Sequence, residues 1–220
     1  MRRFVLALFA LFLFCSVAAA QTSTPDEGSV KDGVYSNMFF GFSYAYPKDW
    51  VVHGEATKAH IKELGKELAK ETHALPEASL EVGLAHTYQL LTVFRYQLGT
   101  PGVEENALVQ VVAEDVRHAP ATINGRVYLL NVRGLLIKMG CQPLQAEPVE
   151  VVFSSQKFFR LDYEQPVNGK SVHTAMLVIV SKGYALTFIF TAADQKSVDE
   201  MVKTIQTLRF SVAAQPSVAP

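Results

Sequence analysis

Residues 171–191 constrain the fold more than any other stretch. Ser171–Ser181 reads as a strand and becomes apolar at every position from Met176 to Val180. Lys182-Gly183 turns the chain, and Tyr184–Thr191 returns with apolar residues on both faces. A strand with one wet face alternates between apolar and polar residues, whereas a doubly apolar strand needs cover on both sides of its sheet. The short connection favours antiparallel pairing, since parallel strands need a long crossover. A central hairpin buried on both faces is therefore expected.

Upstream, Phe40, Phe42, Tyr44 and Tyr46 alternate with Gly41, Ser43 and Ala45, which predicts a strand with one aromatic face, ended by Pro47. Thr57–Glu71 has helical spacing, with a stripe of Ile61, Leu64 and Leu68 and a solvated face rich in Lys and Glu. Strands are predicted at Tyr88–Tyr96 and Leu108–Val116, separated by the turn residues Gly99-Thr100-Pro101-Gly102. A second helix is expected over Asn124–Met139, stopped by Gly140, with Pro143 beyond. Lys157–Glu164 alternates as a strand, and Pro166-Val167-Asn168-Gly169 reads as a turn. The last helix carries a capping box at Ser197…Glu200 and a stripe of Val198, Met201, Val202, Ile205 and Leu208. The result is an α+β chain with a mainly antiparallel central sheet and helices on both faces.

Residues 1–20 have the layout of a secretory signal peptide. Arg2 and Arg3 precede an unbroken apolar run from Phe4 to Phe14, and Ala18-Ala19-Ala20 stands before Gln21. The run is shorter than the roughly 20 residues of a spanning helix. Cys15 follows Phe12-Leu13-Phe14 rather than a small residue, which argues against a lipidation site. Residues 21–37 read as a flexible linker, 38–210 as a single folded domain and 211–220 as a disordered tail. The expected location is therefore exported, periplasmic or secreted, with no stable membrane insertion after cleavage.

Composition narrows the partners. The chain has 20 Lys and Arg against 21 Asp and Glu. Without Arg2 and Arg3 the remainder is more acidic, and no basic run appears, so nucleic acid is not an expected partner. Cleavage would leave Cys141 as the one cysteine, so an internal disulfide is excluded and stability must come from packing.

The segment Phe40-Gly41-Phe42-Ser43-Tyr44-Ala45-Tyr46-Pro47-Lys48-Asp49-Trp50 resembles the opening strand of PsbP-like domains. The ending, Gly183-Tyr184-Ala185-Leu186-Thr187-Phe188 and the helix running to Leu208-Arg209-Phe210, is similar to that family's close. The resemblance covers roughly Met38 to Phe210. It implies an α/β/α sandwich with an antiparallel central sheet, and members that act mainly by binding, among them extrinsic photosystem II subunits and assembly factors. The chain lacks the Arg- and Ser-rich transit peptide of a plastid protein.

Candidate chemistry is sparse. The possible ligands are His53, His60, His73, His86, His118 and His173; His60, Glu63 and Glu67 share a helix face, with His53 just upstream, and could ligate a metal, although the H-E-x-x-H spacing is absent. An ordinary solvated face explains them as well. Glu114, Asp115 and His118 form a second cluster at a strand end, equally readable as an acidic loop. Cys141 follows a helix stop and has no Cys–His signature, so it reads as an inert small residue. Gly41-Phe42-Ser43-Tyr44-Ala45 distantly resembles a nucleophile elbow, but the strand continues past Ser43. Trp50, Tyr44 and Tyr46 are core candidates that could also line a pocket. No cofactor is expected. The expected function is a non-enzymatic exported domain that binds an envelope protein or helps assemble a complex. The alternatives are a periplasmic metal- or small-ligand-binding protein and, more distantly, a hydrolase.

Overall fold

A computed structural model describes residues 24–71, 76, 81, 83–103, 105–119, 121–122, 124–167 and 169–211. The leader reading at 1–20 and most of the tail reading lie outside them. Two antiparallel sheets form the frame. The small one comprises β1 (Ser29–Lys31), β2 (Val34–Asn37), β3 (Phe42–Ala45) and β12 (Arg209–Phe210), in that order. The large one runs β4 (Val51–Val52), β5 (Thr87–Phe94), β6 (Leu108–Asp115), β11 (Tyr184–Ala192), β10 (Lys170–Ser181) and β9 (Gln156–Val167). The short strands β7 (Gln142–Pro143) and β8 (Val149–Phe153) both pair with the outer side of β9. The helices are α1 (Glu55–Glu71), α2 (Gly125–Lys138) and α3 (Gln195–Val202), the last tightening into a 3-10 turn at Lys203–Thr207.

The expected central hairpin is present. Ser181 pairs with Tyr184, and the turn between them has φ 53° at Lys182 and 80° at Gly183. Positive φ at both turn residues matches the right-handed twist of the flanking strands. Its two faces enter different cores. Leu177, Leu186, Phe188 and Phe190 lie in one cluster; Met176, Val178 and Ala185 lie in the other. The second face is covered by α2 through Leu129 and Leu136. The first is covered by α3 and by the aromatic residues Tyr35, Phe40, Phe42 and Tyr44. The α+β class with a mainly antiparallel sheet is therefore as expected, but one covering layer is partly a sheet rather than helices alone.

Two local readings need correction. Residues 29–37 are not linker: they form the β1–β2 hairpin, whose turn is Asp32 (φ 51°) and Gly33 (φ 78°). An Asp-Gly pair flanked by Val30, Val34 and Tyr35 is a strong hairpin signal, masked by the polar composition around it. Asn37, placed outside the domain by the sequence reading, is buried and donates from Nδ2 to the Asp26 carbonyl at 2.8 Å. The α3 cap is Asp194 rather than Ser197: the Asp194 carboxylate accepts from the Ser197 amide at 2.8 Å and from its hydroxyl at 2.7 Å. An ionised cap accepts both bonds, so the helix starts three residues earlier.

The stop of α2 is as expected. The Cys141 amide donates to the Leu136 carbonyl at 2.9 Å and the Gly140 amide to Ile137 at 3.1 Å, the paired bonds of a Schellman ending. At the other end, a Cβ on Gly125 would stand 2.7 Å from the Val178 carbonyl oxygen. Glycine there lets the helix start sit directly on β10.

Candidate functional site

Four turns meet at one end of the large sheet. The first, residues 38–41, joins β2 to β3. It is pinned from below: the Phe40 amide donates to Asn37 Oδ1 at 2.8 Å, and the Phe39 amide to Asp26 Oδ2 at 2.8 Å. With the backbone held, Met38 projects outward at 86% exposure. The Phe39 ring turns inward and meets Tyr184 edge-on at 5.5 Å.

The second is the Lys182-Gly183 turn of the central hairpin. The Lys182 ammonium donates to the Phe39 carbonyl and stands 5.3 Å from the Phe39 ring centroid. The third follows β6, where the Arg117 guanidinium lies 5.0 Å from the Tyr184 ring centroid and donates to its hydroxyl at 3.1 Å. Cation–aromatic stacking of this kind holds a charged head flat against a ring. The Gly183 position makes room for it, because a Cβ there would fall 2.5 Å from Arg117 Cγ. The fourth precedes β5, where the His86 ring stacks on His118 at 4.7 Å. Its backbone is tied in by the Asp115 amide, which donates to the His86 carbonyl at 2.9 Å.

Asp115 fixes the orientation of Arg117. Its carboxylate accepts from Arg117 Nε at 2.9 Å, from Nη2 at 2.5 Å and from the Arg117 amide at 3.0 Å. Those bonds pull the Asp115 carboxyl down to about 2, and raise Arg117 above its ordinary range. Tyr184 is shifted up, mainly by burial. The outcome is a preset platform: a flexible thioether and two cations, each cation seated on an aromatic ring. Methionine, arginine and aromatic side chains are the types enriched at binding surfaces.

The cluster of Glu114, Asp115 and His118 is not one site. Neighbouring residues of a strand point to opposite faces. Asp115 turns to Arg117, whereas Glu114 accepts from the Tyr128 hydroxyl of α2 at 2.6 Å. His118 pairs with His86. His60, Glu63 and Glu67 are exposed on α1, and no group of three or more His, Cys, Asp or Glu able to hold a metal occurs among the described residues. Leu64 and Leu68 have no described side chains. Cys141 is buried, and burial pushes its thiol up. Ser43 sits within β3, paired with Ser36 and Arg209, with no strand-to-helix elbow. Tyr44 and Tyr46 are core residues, and Trp50 packs against the same cluster. Met38, Arg117 and Lys182 escape a sequence reading because they lie far apart along the chain, and His86 stands out there only as one of six histidines. The Lys-Gly turn and the Met beside an aromatic strand are their faint traces.

No protein-family model matches the chain, and no curated protein does. Solved structures similar to it include a cyanobacterial PsbP from Synechocystis sp. PCC 6803, at 14% identity and a TM-score of 0.49, covering 88% of this chain and 100% of that one. LpqN of Mycobacterium tuberculosis, described as involved in cell envelope biogenesis, is 14% identical with a TM-score of 0.42, covering 84% and 85%. A Bacteroides thetaiotaomicron protein is 12% identical with a TM-score of 0.39; the match covers 79% of this chain and 46% of that longer one. At these values the fold rests on the strand order and packing above, and no family is assigned. Among the described residues, no helix is long and apolar enough to cross a membrane.

Proposed function

We propose that the chain is a non-enzymatic binding domain of the cell envelope that docks an acidic, partly apolar segment of a protein partner on the four-turn platform. The observation that carries this reading is the preset pair of cation–aromatic contacts, Arg117 on Tyr184 and Lys182 on Phe39, beside the outstanding Met38. Arg and aromatic residues dominate binding hot spots, and a side chain already held in place loses little entropy on docking. The envelope location rests on the leader pattern of residues 1–20.

The test is crosslinking and affinity capture of tagged 21–220 from the source cell envelope, with a photoreactive group at Met38. A reproducible partner, lost in Arg117→Glu and Lys182→Glu but kept in Lys157→Glu on β9, supports the reading. Robust turnover on a broad substrate panel, abolished by one point mutation, would sink it.

A further inference from the structure

A cavity of about 190 Å³ lies where the segment before β1, the β4–α1 junction and the middle of β5 meet. Val30, Tyr35, Leu90 and Leu91 give it an apolar lining, and His53 and Lys58 line it as well. Leu90 and Leu91 are adjacent yet both buried, because β5 bulges between Gln89 and Leu91. A second hollow of about 270 Å³ adjoins it, sharing Glu27, Lys58 and Leu90.

The polar part of the lining is built but incomplete. His53 is 7% exposed, its ring edge-on to Phe94 at 5.1 Å. Its Nδ1 lies 3.2 Å from the Thr57 hydroxyl, while Nε2 is buried with no hydrogen-bond partner. Leaving a buried polar atom unpaired is costly enough that each case asks for a reason. Lys58 is 9% exposed, with its ammonium 2.6 Å from Glu55 Oε1. An ammonium has three donors, so Glu55 does not exhaust it. Lys58 stands in the first turn of α1, and His53 comes just before Gly54, the cap position, which offers no capping side chain. That end of a helix favours negative charge.

We propose that this cavity binds a small organic carboxylate with a short apolar body. With the Thr57 hydroxyl donating to Nδ1, the His53 Nε2 carries the hydrogen and donates to one carboxylate oxygen. Lys58 donates to the other. The hydrocarbon part lies against Val30, Leu90 and Leu91. Inorganic phosphate would leave that apolar lining unfilled, and the cavity exceeds the ~30 Å³ share of one water molecule. Glu27 is exposed, so solvent screens its charge.

The test is an NMR titration of 21–220 with butyrate and hexanoate, using butyramide as the uncharged probe of similar shape. Saturable shifts of the His53 ring and Leu91 methyl signals are expected with both carboxylates. Butyramide, and butyrate with Lys58→Met, should bind roughly tenfold more weakly or worse, the loss of one charge-assisted bond. His53→Phe should abolish binding; if it does not fold, the Lys58→Met and butyramide comparisons decide. Absence of any saturable shift at millimolar carboxylate overturns the proposal, as does equal affinity for butyrate and butyramide. Neither result bears on the platform, whose residues lie outside this cavity.

Discussion

The two faces of the central hairpin are buried in different ways. On the small-sheet side the hairpin meets rings: Phe188 packs on Phe42, Tyr44 and Phe158 at centroid distances of 5.6–6.1 Å. On the α2 side the fully buried residues are aliphatic or small, and the rings of Tyr128, Phe159 and Tyr163 are only partly buried. Tyr128 donates to Glu114 at 2.6 Å. Rings bury more area per residue and lock one another edge to face. A helix laid on strands leaves less area, and its fit depends on close approach at points such as Gly125. The first face is fixed by bulk, the second by contact geometry.

The largest expected effect is on the ring face. Phe188→Ala should cost about 4 kcal/mol in chemical denaturation, and Leu129→Ala, the matching truncation under α2, about 3 kcal/mol. A larger loss for Leu129→Ala would break the contrast. Next comes Gly125→Ala, with about 2 kcal/mol lost as the new methyl group pushes against the Val178 carbonyl. A neutral or stabilising result would show that α2 can lift off β10 freely. The smallest effect is electrostatic and sits at the rim of the ring face. Asp115 is about 2 in the fold against an ordinary 3.8, so its contribution is present above pH 3.8 and is lost as pH falls toward 2. Asp115→Asn should flatten that acid limb in a pH series of unfolding free energies. An unchanged slope would mean the Arg117 pairing adds nothing to stability.

These contrasts were partly legible in the sequence. Alternation and turn residues were enough for the doubly buried hairpin, the aromatic strand and the Gly140 stop, because each depends on neighbours a few residues away. Composition misled at residues 29–37, where Ser, Lys and Asp around Val30 and Tyr35 hid a hairpin. The strand β8 was missed because Val149–Phe153 is a half-exposed edge strand. Reading Glu114, Asp115 and His118 as one group failed because spacing along a strand does not give a shared face. Neither the platform nor the cavity could be read in advance, since each joins segments far apart in the chain.

The pairing of Phe42 with Phe210 in the small sheet has a consequence for how the chain folds. β3 cannot gain its last neighbour until the final strand has been made, and β6 must likewise wait for β11. Contacts this distant in sequence raise the contact order and slow folding. Through that interval Phe42 and Phe158 lack the Phe210 ring, which packs against them at 6.0 and 6.4 Å. The chain is then most open to aggregation or to a chaperone's grip, and β12, only two residues long, is the latch that ends it.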